Sequence, residues 1–325
     1  MTPTGLPSLS DSLHPAVLMA LDGAPETVTP LRRGGNSRVF RLARQGRAVL
    51  WKIYPGDRRG RAEQEYGALE FLSRQGIDAV PRALALDGQG RQALHEWVDA
   101  EPAGTADMAD VEALADFFLR LQTLRTAVGV EKLVPASAAC FSPAEALLQA
   151  ENRLRAVRQG AGEGEIRAFL DHSLTPALSR LRAEILNELP AVQTALPQSL
   201  QVLSPSDFGM HNILRRADGR RVFVDFEYFG WDDPVKAVSD MMLHPGSALT
   251  DHHAARLADC LMTELSALDP SFPTRYRVMK PLYALIWCLI MLNCCLPDRR
   301  AAFDAAALQG QLEKSRALFK KAVEA

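Results

Sequence analysis

Three oxygen-bearing side chains in one short stretch carry the most chemistry in this sequence. In Ser204-Pro205-Ser206-Asp207-Phe208-Gly209-Met210-His211-Asn212-Ile213-Leu214, an aspartate is followed five residues later by an asparagine. A second aspartate ends the next apolar run, Val222-Phe223-Val224-Asp225-Phe226-Glu227. The apolar pieces read as strands of a hairpin, which brings Asp207, Asn212 and Asp225 together. A carboxylate that accepts a hydroxyl proton, with an amide oxygen and a carboxylate that bind magnesium, is the set phosphoryl transfer needs. Magnesium retains waters, so two protein ligands plus nucleotide phosphates suffice. His211 has two readings, contact with substrate or phosphate and support of its own loop. Glu227 also has two, metal or substrate recognition and a hydrogen bond to nearby loop amides.

The elements that must position these groups fall into two textures. Residues 26 to 53 carry strand signals: Thr27 to Thr29, Arg38 to Leu42, a Gln45-Gly46 turn, and Ala48 to Tyr54. Ala62, Tyr66, Leu69 and Leu72 then share one face of a helix ending near Gly76. Two more strands fit Ala83 to Leu86 and Ala93 to Val98. The expectation is an α+β, bilobal chain: residues 1–98 form a small five-stranded antiparallel sheet plus helix, and residues 99–325 a larger, mainly helical lobe. Long helical patterns cover 143 to 158, 163 to 189, 251 to 268, 274 to 296 and 299 to 323. Only residues 200 to 230 interrupt them, with Leu200 to Leu203, Ile213 to Arg215 and Val222 to Phe226 as strands. Gly34-Gly35-Asn36-Ser37 lies between two strand segments, where glycines let backbone amides approach nucleotide phosphates.

With these residues in order, the sequence resembles the aminoglycoside phosphotransferase and choline kinase branch of the protein-kinase-like superfamily. Its catalytic loop reads H-x-D-x-x-x-x-N, and its metal-binding aspartate follows a short strand, as Asp225 does. The resemblance implies a protein-kinase-like fold and an ATP-dependent small-molecule kinase, with Asp207 as catalytic base and Asn212 and Asp225 as Mg2+ ligands. It makes Lys52 the strand lysine that meets the α and β phosphates. Glu65 becomes its helix partner, with Glu63 as the alternative. Gly34, Gly35, Asn36 and Ser37 become the loop over the phosphates, and Glu96, Trp97 and Val98 the hinge whose backbone binds the adenine edge. Residue 205 departs from the pattern, being proline where the family has a histidine; this bears on the bracing of the loop more than on the chemistry. Gly230 to Pro234 and then Asp240 resemble the D-P-x-x-D segment, with a longer spacing and Asp240 in a structural role. The substrate implied is a hydroxylated small molecule: a sugar, an aminoglycoside or an amino alcohol.

The bulk properties suit this reading. The chain has 325 residues, 47% apolar and 23% charged, with net charge -2. That balance argues against a nucleic-acid partner. The N-terminus shows no basic n-region before an apolar stretch, so a cytoplasmic protein is expected. Pro281 to Pro297 is apolar but short of the roughly 20 residues a membrane span takes, and reads as a buried helix. The five cysteines form no C-x-x-C pair and read as buried thiols. Oligomeric state is not legible. Two rivals remain: a catalytically inactive, kinase-like nucleotide-binding protein, and a metal-dependent hydrolase using His211, His244, His252 and His253. The second lacks H-E-x-x-H, and Asp251-His252-His253 reads as a polar helix start.

Overall fold

Alternation of buried and exposed residues builds a five-stranded antiparallel sheet near the N-terminus. The structure, a computed structural model, describes residues 15–31, 37–56, 59–89, 91–247 and 249–323. The strands are β1 (Thr27–Pro30), β2 (Arg38–Arg44), β3 (Arg47–Ile53), β4 (Ala83–Leu86) and β5 (Gln92–Glu96), in spatial order β1-β2-β3-β5-β4. Gln45 (φ 46) and Gly46 (φ 77) make the tight β2–β3 turn. Positive φ at both central positions gives the type I′ twist that matches flanking strands. One sheet face presents Phe40, Leu42, Val49, Trp51 and Leu94, which pack with Val17 and Leu21 of a helix, Pro15–Leu21. Phe40 and Trp51 are directly opposed in the register, their rings 5.2 Å apart. Because side chains alternate along a strand, Lys52 and Tyr54 point away from the face Trp51 occupies.

The helix Arg61–Arg74 turns Ala62, Glu65, Ala68, Leu69 and Leu72 inward. It stops in a Schellman motif: Gly76 (φ 73) donates to Ser73 O and Ile77 N to Leu72 O, both at 3.0 Å. Glu101–Pro102, Ile213–Arg215 and Arg221–Phe223 form a second, three-stranded sheet. Its last strand stops at Phe223, short of the expected Phe226, because Asp225 is left-handed at φ 69.

The rest is mainly helical, as the periodicity anticipates. Helices cover Met108–Gln122, Pro143–Gly160, Thr175–Glu188, Pro234–Leu243, Asp251–Leu268, Phe272–Met291 and Ala305–Ala322. Phe272–Met291 together with the turn that follows it, Phe272–Cys295 in all, is long and apolar enough to cross a membrane by length and composition, yet most of it is buried against neighbouring helices. Pro281 sits inside that helix rather than bounding it. Gly160 lets the end of Pro143–Gly160 touch backbone: a Cβ there would lie 1.9 Å from Cys295 O. The fold class is therefore α+β, as expected. Packing divides the chain into two compact units, one holding Met1–Gly104, Thr123–Val134 and His211–Gly230, the other Thr105–Gln122, Pro135–Met210 and Trp231–Ala325.

Candidate active site

In the sheet-bearing unit, a buried lysine is ringed by acids. Lys52 Nζ lies 2.7 Å from Glu65 Oε2, 2.6 Å from Asp225 Oδ1 and 3.2 Å from Glu227 Oε2. β3 delivers the lysine, the second turn of Arg61–Arg74 delivers Glu65, and the turn after Arg221–Phe223 delivers the other two. Glu63, one helix face away, is exposed. Burial opposes the charge on Lys52, but Glu65, Asp225 and Glu227 outweigh it and hold the ammonium well above its ordinary pKa. Burial, reinforced by Glu65 and Glu227 and opposed by Lys52, pushes Asp225 up to about 6. Burial would raise Glu65 also, but Lys52 above all keeps that carboxyl low.

The surrounding groups hold the two buried acids in place. Tyr54 donates to Glu65 Oε2 at 2.5 Å, and Phe226 N donates to its other oxygen at 3.3 Å. His95 Nε2 lies 3.4 Å from the Tyr54 hydroxyl. Ser37 Oγ donates to Glu227 Oε2 at 3.0 Å, and Arg61 Nη1 to Oε1 at 3.2 Å. The side chains of Glu65 and Glu227 are 5% and 4% exposed, whereas that of Asp225 is 38% exposed, so Asp225 is the acid a solvent-borne ligand reaches. The three carboxylates offer oxygens within 4.8 Å of one another, and Asn212 is buried on the same hairpin, its backbone carbonyl accepting Val224 N at 3.0 Å. Hard oxygen donors, one of them open, fit a magnesium ion.

The other sequence-derived positions are placed as follows. Ser37 meets Glu227, while Gly34, Gly35 and Asn36 lie outside the described residues. β5 ends at Glu96, which pairs with Arg82 at 3.1 Å; Trp97 lies under the Arg41 guanidinium and donates to Asp99; Val98 is buried. His211 is exposed, in the single turn Met210–Asn212.

Asp207 belongs to the helical unit. It follows the strand Val202–Ser204, whose Leu203 backbone is clamped by the Gln122 amide through bonds of 2.9 and 3.0 Å. Ser206 is left-handed at φ 66, its amide donating to Ser204 Oγ and its hydroxyl to Ser137 O. Asp207 N donates to Pro205 O at 2.8 Å, and Phe208 packs its ring on Phe117. His244 Nε2 lies 3.1 Å from Asp207 Oδ1.

A family model described as the phosphotransferase enzyme family matches residues 27–270. The chain belongs to the phosphotransferase enzyme family. No curated protein matches it. Among solved structures, a putative aminoglycoside phosphotransferase from Ralstonia eutropha is 16% identical with a TM-score of 0.62, covering 95% of each chain. A choline/ethanolamine kinase family protein from Mesorhizobium loti is 18% identical with a TM-score of 0.60, over 94% of this chain and 93% of that one. A spectinomycin phosphotransferase solved with ADP and spectinomycin is 12% identical with a TM-score of 0.60, over 93% and 96%. At such identities the likeness shows the kinase-like fold. Several groups in this phosphotransferase escape a reading from sequence. Tyr54 is two residues beyond Lys52, and strand alternation alone placed it on the lysine's face. Arg61 and His95 carry no such signal, and His244 entered only as a hydrolase ligand.

Proposed function

We propose that the protein transfers the γ-phosphoryl group of ATP to a hydroxyl of a small molecule, in the cytoplasm, with magnesium as cofactor. The observation that carries this reading is Lys52 Nζ held at 2.7 Å from Glu65 and 2.6 Å from Asp225. A cation on a strand, fixed by a helix glutamate and set beside a solvent-reachable aspartate, suits binding of phosphate and a metal ion. Asn212 and Asp225 would hold magnesium, which when bound neutralises phosphate charge. Lys52 would orient the α and β phosphates, sharing its ammonium between them and Glu65. Ser37 and its neighbours Gly34, Gly35 and Asn36 would cover the phosphates, and the backbone of Glu96 to Val98 would bind adenine. Asp207 would accept the proton of the substrate hydroxyl as that oxygen attacks phosphorus, and ADP would leave with the bond to its terminal bridging oxygen broken. In this reading residues 1–98 serve the nucleotide, and 99–325 supply the base and the acceptor site.

ADP release from MgATP, measured with a panel of aminoglycosides, choline, amino alcohols and sugars, tests the proposal. At least one acceptor should accelerate release, and Asp207→Asn should slow it by about a hundredfold or more. Equal rates in wild type and Asp207→Asn would remove Asp207 as base. A second reading, a nucleotide-binding protein without turnover, is favoured by Pro205, which leaves Asp207 without a side-chain donor two residues upstream. It predicts that MgATP raises the melting temperature while no acceptor releases ADP.

A further inference from the structure

We propose that His244 is the positioning residue for Asp207, a neutral imidazole held in one tautomer so that its Nε2–H fixes the aspartate's orientation. The inference rests on reading Asp207 as the base. His244 caps the helix Pro234–Leu243, where its own amide donates to Asp240 O at 2.9 Å and its carbonyl accepts Ser247 N at 2.9 Å. The backbone is therefore pinned on both sides. Gly246 N donates to His244 Nδ1 at 2.8 Å. A backbone amide can only donate, so Nδ1 carries a lone pair, and the ring proton sits on Nε2. That nitrogen is the one 3.1 Å from Asp207 Oδ1.

The ring cannot turn over without losing both bonds, since a flip exchanges each nitrogen for a carbon. It is also held from the side. Trp287 meets it edge to face, with centroids 4.6 Å apart and planes at 79°. Trp287 is itself oriented by donating from Nε1 to Asp240 Oδ1 at 2.8 Å. The other Asp240 oxygen takes Lys236 Nζ at 2.7 Å, and Lys236 reaches Asp232 at 3.0 Å. Lys236 and Asp232 are buried, so this chain of contacts is anchored in the interior of the helical unit. A merely structural capping histidine would need the Gly246 bond alone. The ordered sequence Lys236, Asp240, Trp287, His244 ends instead on a carboxylate whose side chain is 29% exposed. Pro205 offers that carboxylate no side-chain donor, so its support comes from a different element.

Two measurements on the full chain test this. In long-range nitrogen–proton spectra of protein labelled with 15N-histidine, His244 should show the Nε2–H tautomer, and Asp207→Asn should shift its Nε2 resonance. An Nδ1–H tautomer, or a resonance blind to Asp207→Asn, would overturn the proposal. For kinetics, ADP release is followed with the panel acceptor of highest rate. His244→Asn keeps an oxygen for the Gly246 amide but loses the donor, whereas His244→Gln places an amide N–H near the Nε2 position. His244→Asn should lower kcat roughly ten- to a hundredfold, the range a displaced reacting group costs. KM for ATP should stay within about twofold of wild type. His244→Gln should recover part of kcat, and adding His244→Asn to Asp207→Asn should cost nothing further. Wild-type kcat in His244→Asn, equal losses in the Asn and Gln variants, or additive losses in the double variant would each refute it. Should His244→Asn fail to fold, the glutamine variant and the tautomer decide. Wild-type turnover in Asp207→Asn would instead sink the base assignment and leave the tautomer result standing.

Discussion

At the scale of single residues, the three carboxylates around Lys52 are not equivalent. Glu65 and Glu227 are buried, and each has a partner besides the lysine: Tyr54 for Glu65, Arg61 and Ser37 for Glu227. Removing the ammonium while keeping both acids leaves buried negative charge that these partners offset only in part. Lys52→Met should therefore destabilise the protein itself by about 3–5 kcal/mol, the cost of breaking a buried ion pair from one side. Urea denaturation without nucleotide reads this directly, and an unchanged midpoint would show the acids take up protons instead. Asp225→Asn should behave in the opposite way. Its side chain is partly open, and asparagine tolerates the left-handed backbone at φ 69. The variant should change stability by about 1 kcal/mol or less. Turnover should nonetheless fall by about a hundredfold or more, because the carboxylate is the group offered to metal and phosphate. Loss of fold and loss of rate are thus assigned to different members of one cluster, and the two measurements separate them.

Elements show where local rules prevail and where packing overrides them. In a helix interior alanine is favoured over glycine by about 1 kcal/mol. At Gly160 the added Cβ would meet the Cys295 carbonyl at 1.9 Å, and backbone on both sides leaves little room to give. Overpacking of this kind costs about 1–3 kcal/mol or more, so Gly160→Ala should lower the melting temperature despite its helix propensity. On β5, burial pushes His95 down to about 4, Glu65 opposing and Lys52 reinforcing that shift, and its Nδ1 has no hydrogen-bond partner among the described residues. Unfolding returns the ring to an ordinary value near 6.5, so between these values the unfolded chain binds the extra proton. Stability from His95 is present above pH 6.5 and is lost as pH falls toward 4, by at most about 3 kcal/mol. His95→Gln should flatten that part of the stability profile relative to wild type, and parallel profiles would contradict the shift. Much of this level was legible in the sequence: strand alternation from Arg38 to Tyr54, the Gln45-Gly46 turn and the stop at Gly76 are local signals. The helix Pro234–Leu243 was not, because its charged residues Lys236 and Asp240 are buried and pair with each other and with Asp232, so the polar stripe of its helical period does not mark a solvent-facing side. The end of the hairpin strand at Phe223 was hidden by the left-handed aspartate two residues later. In the candidate site, the order of Lys52, Glu65, Asn212 and Asp225 along the chain was readable. The contact between Asp207 and His244 was not, since nothing local marks two residues 37 positions apart as neighbours.

At the scale of the whole molecule, the chain does not complete one packing unit before starting the next. The sheet-bearing unit takes its first part from Met1–Gly104 but returns for Thr123–Val134 and His211–Gly230. Those late segments supply what the early one lacks. Asp225 and Glu227 provide two of the three carboxylates around Lys52, Phe223 N donates to Ala79 O at 2.8 Å, and the Gln64 and Gln75 amides donate to Phe229 O and Val128 O. A fragment of residues 1–104 would retain all five strands and both helices, so propensity alone predicts a folded piece. It would also keep Lys52 with Glu65 as its one remaining acid of the three, and would expose Phe71, which packs near Gly129 in the intact chain. The fragment should therefore show strand and helix signals in far-ultraviolet circular dichroism without a cooperative denaturation transition. Adding residues 211–230 as a separate peptide should restore part of that transition, because the missing charges and the Ala79 bond return with it. A fragment that unfolds cooperatively alone, at a midpoint near that of the intact chain, would mean the sheet and its apolar face suffice and the ionic cluster contributes little to folding.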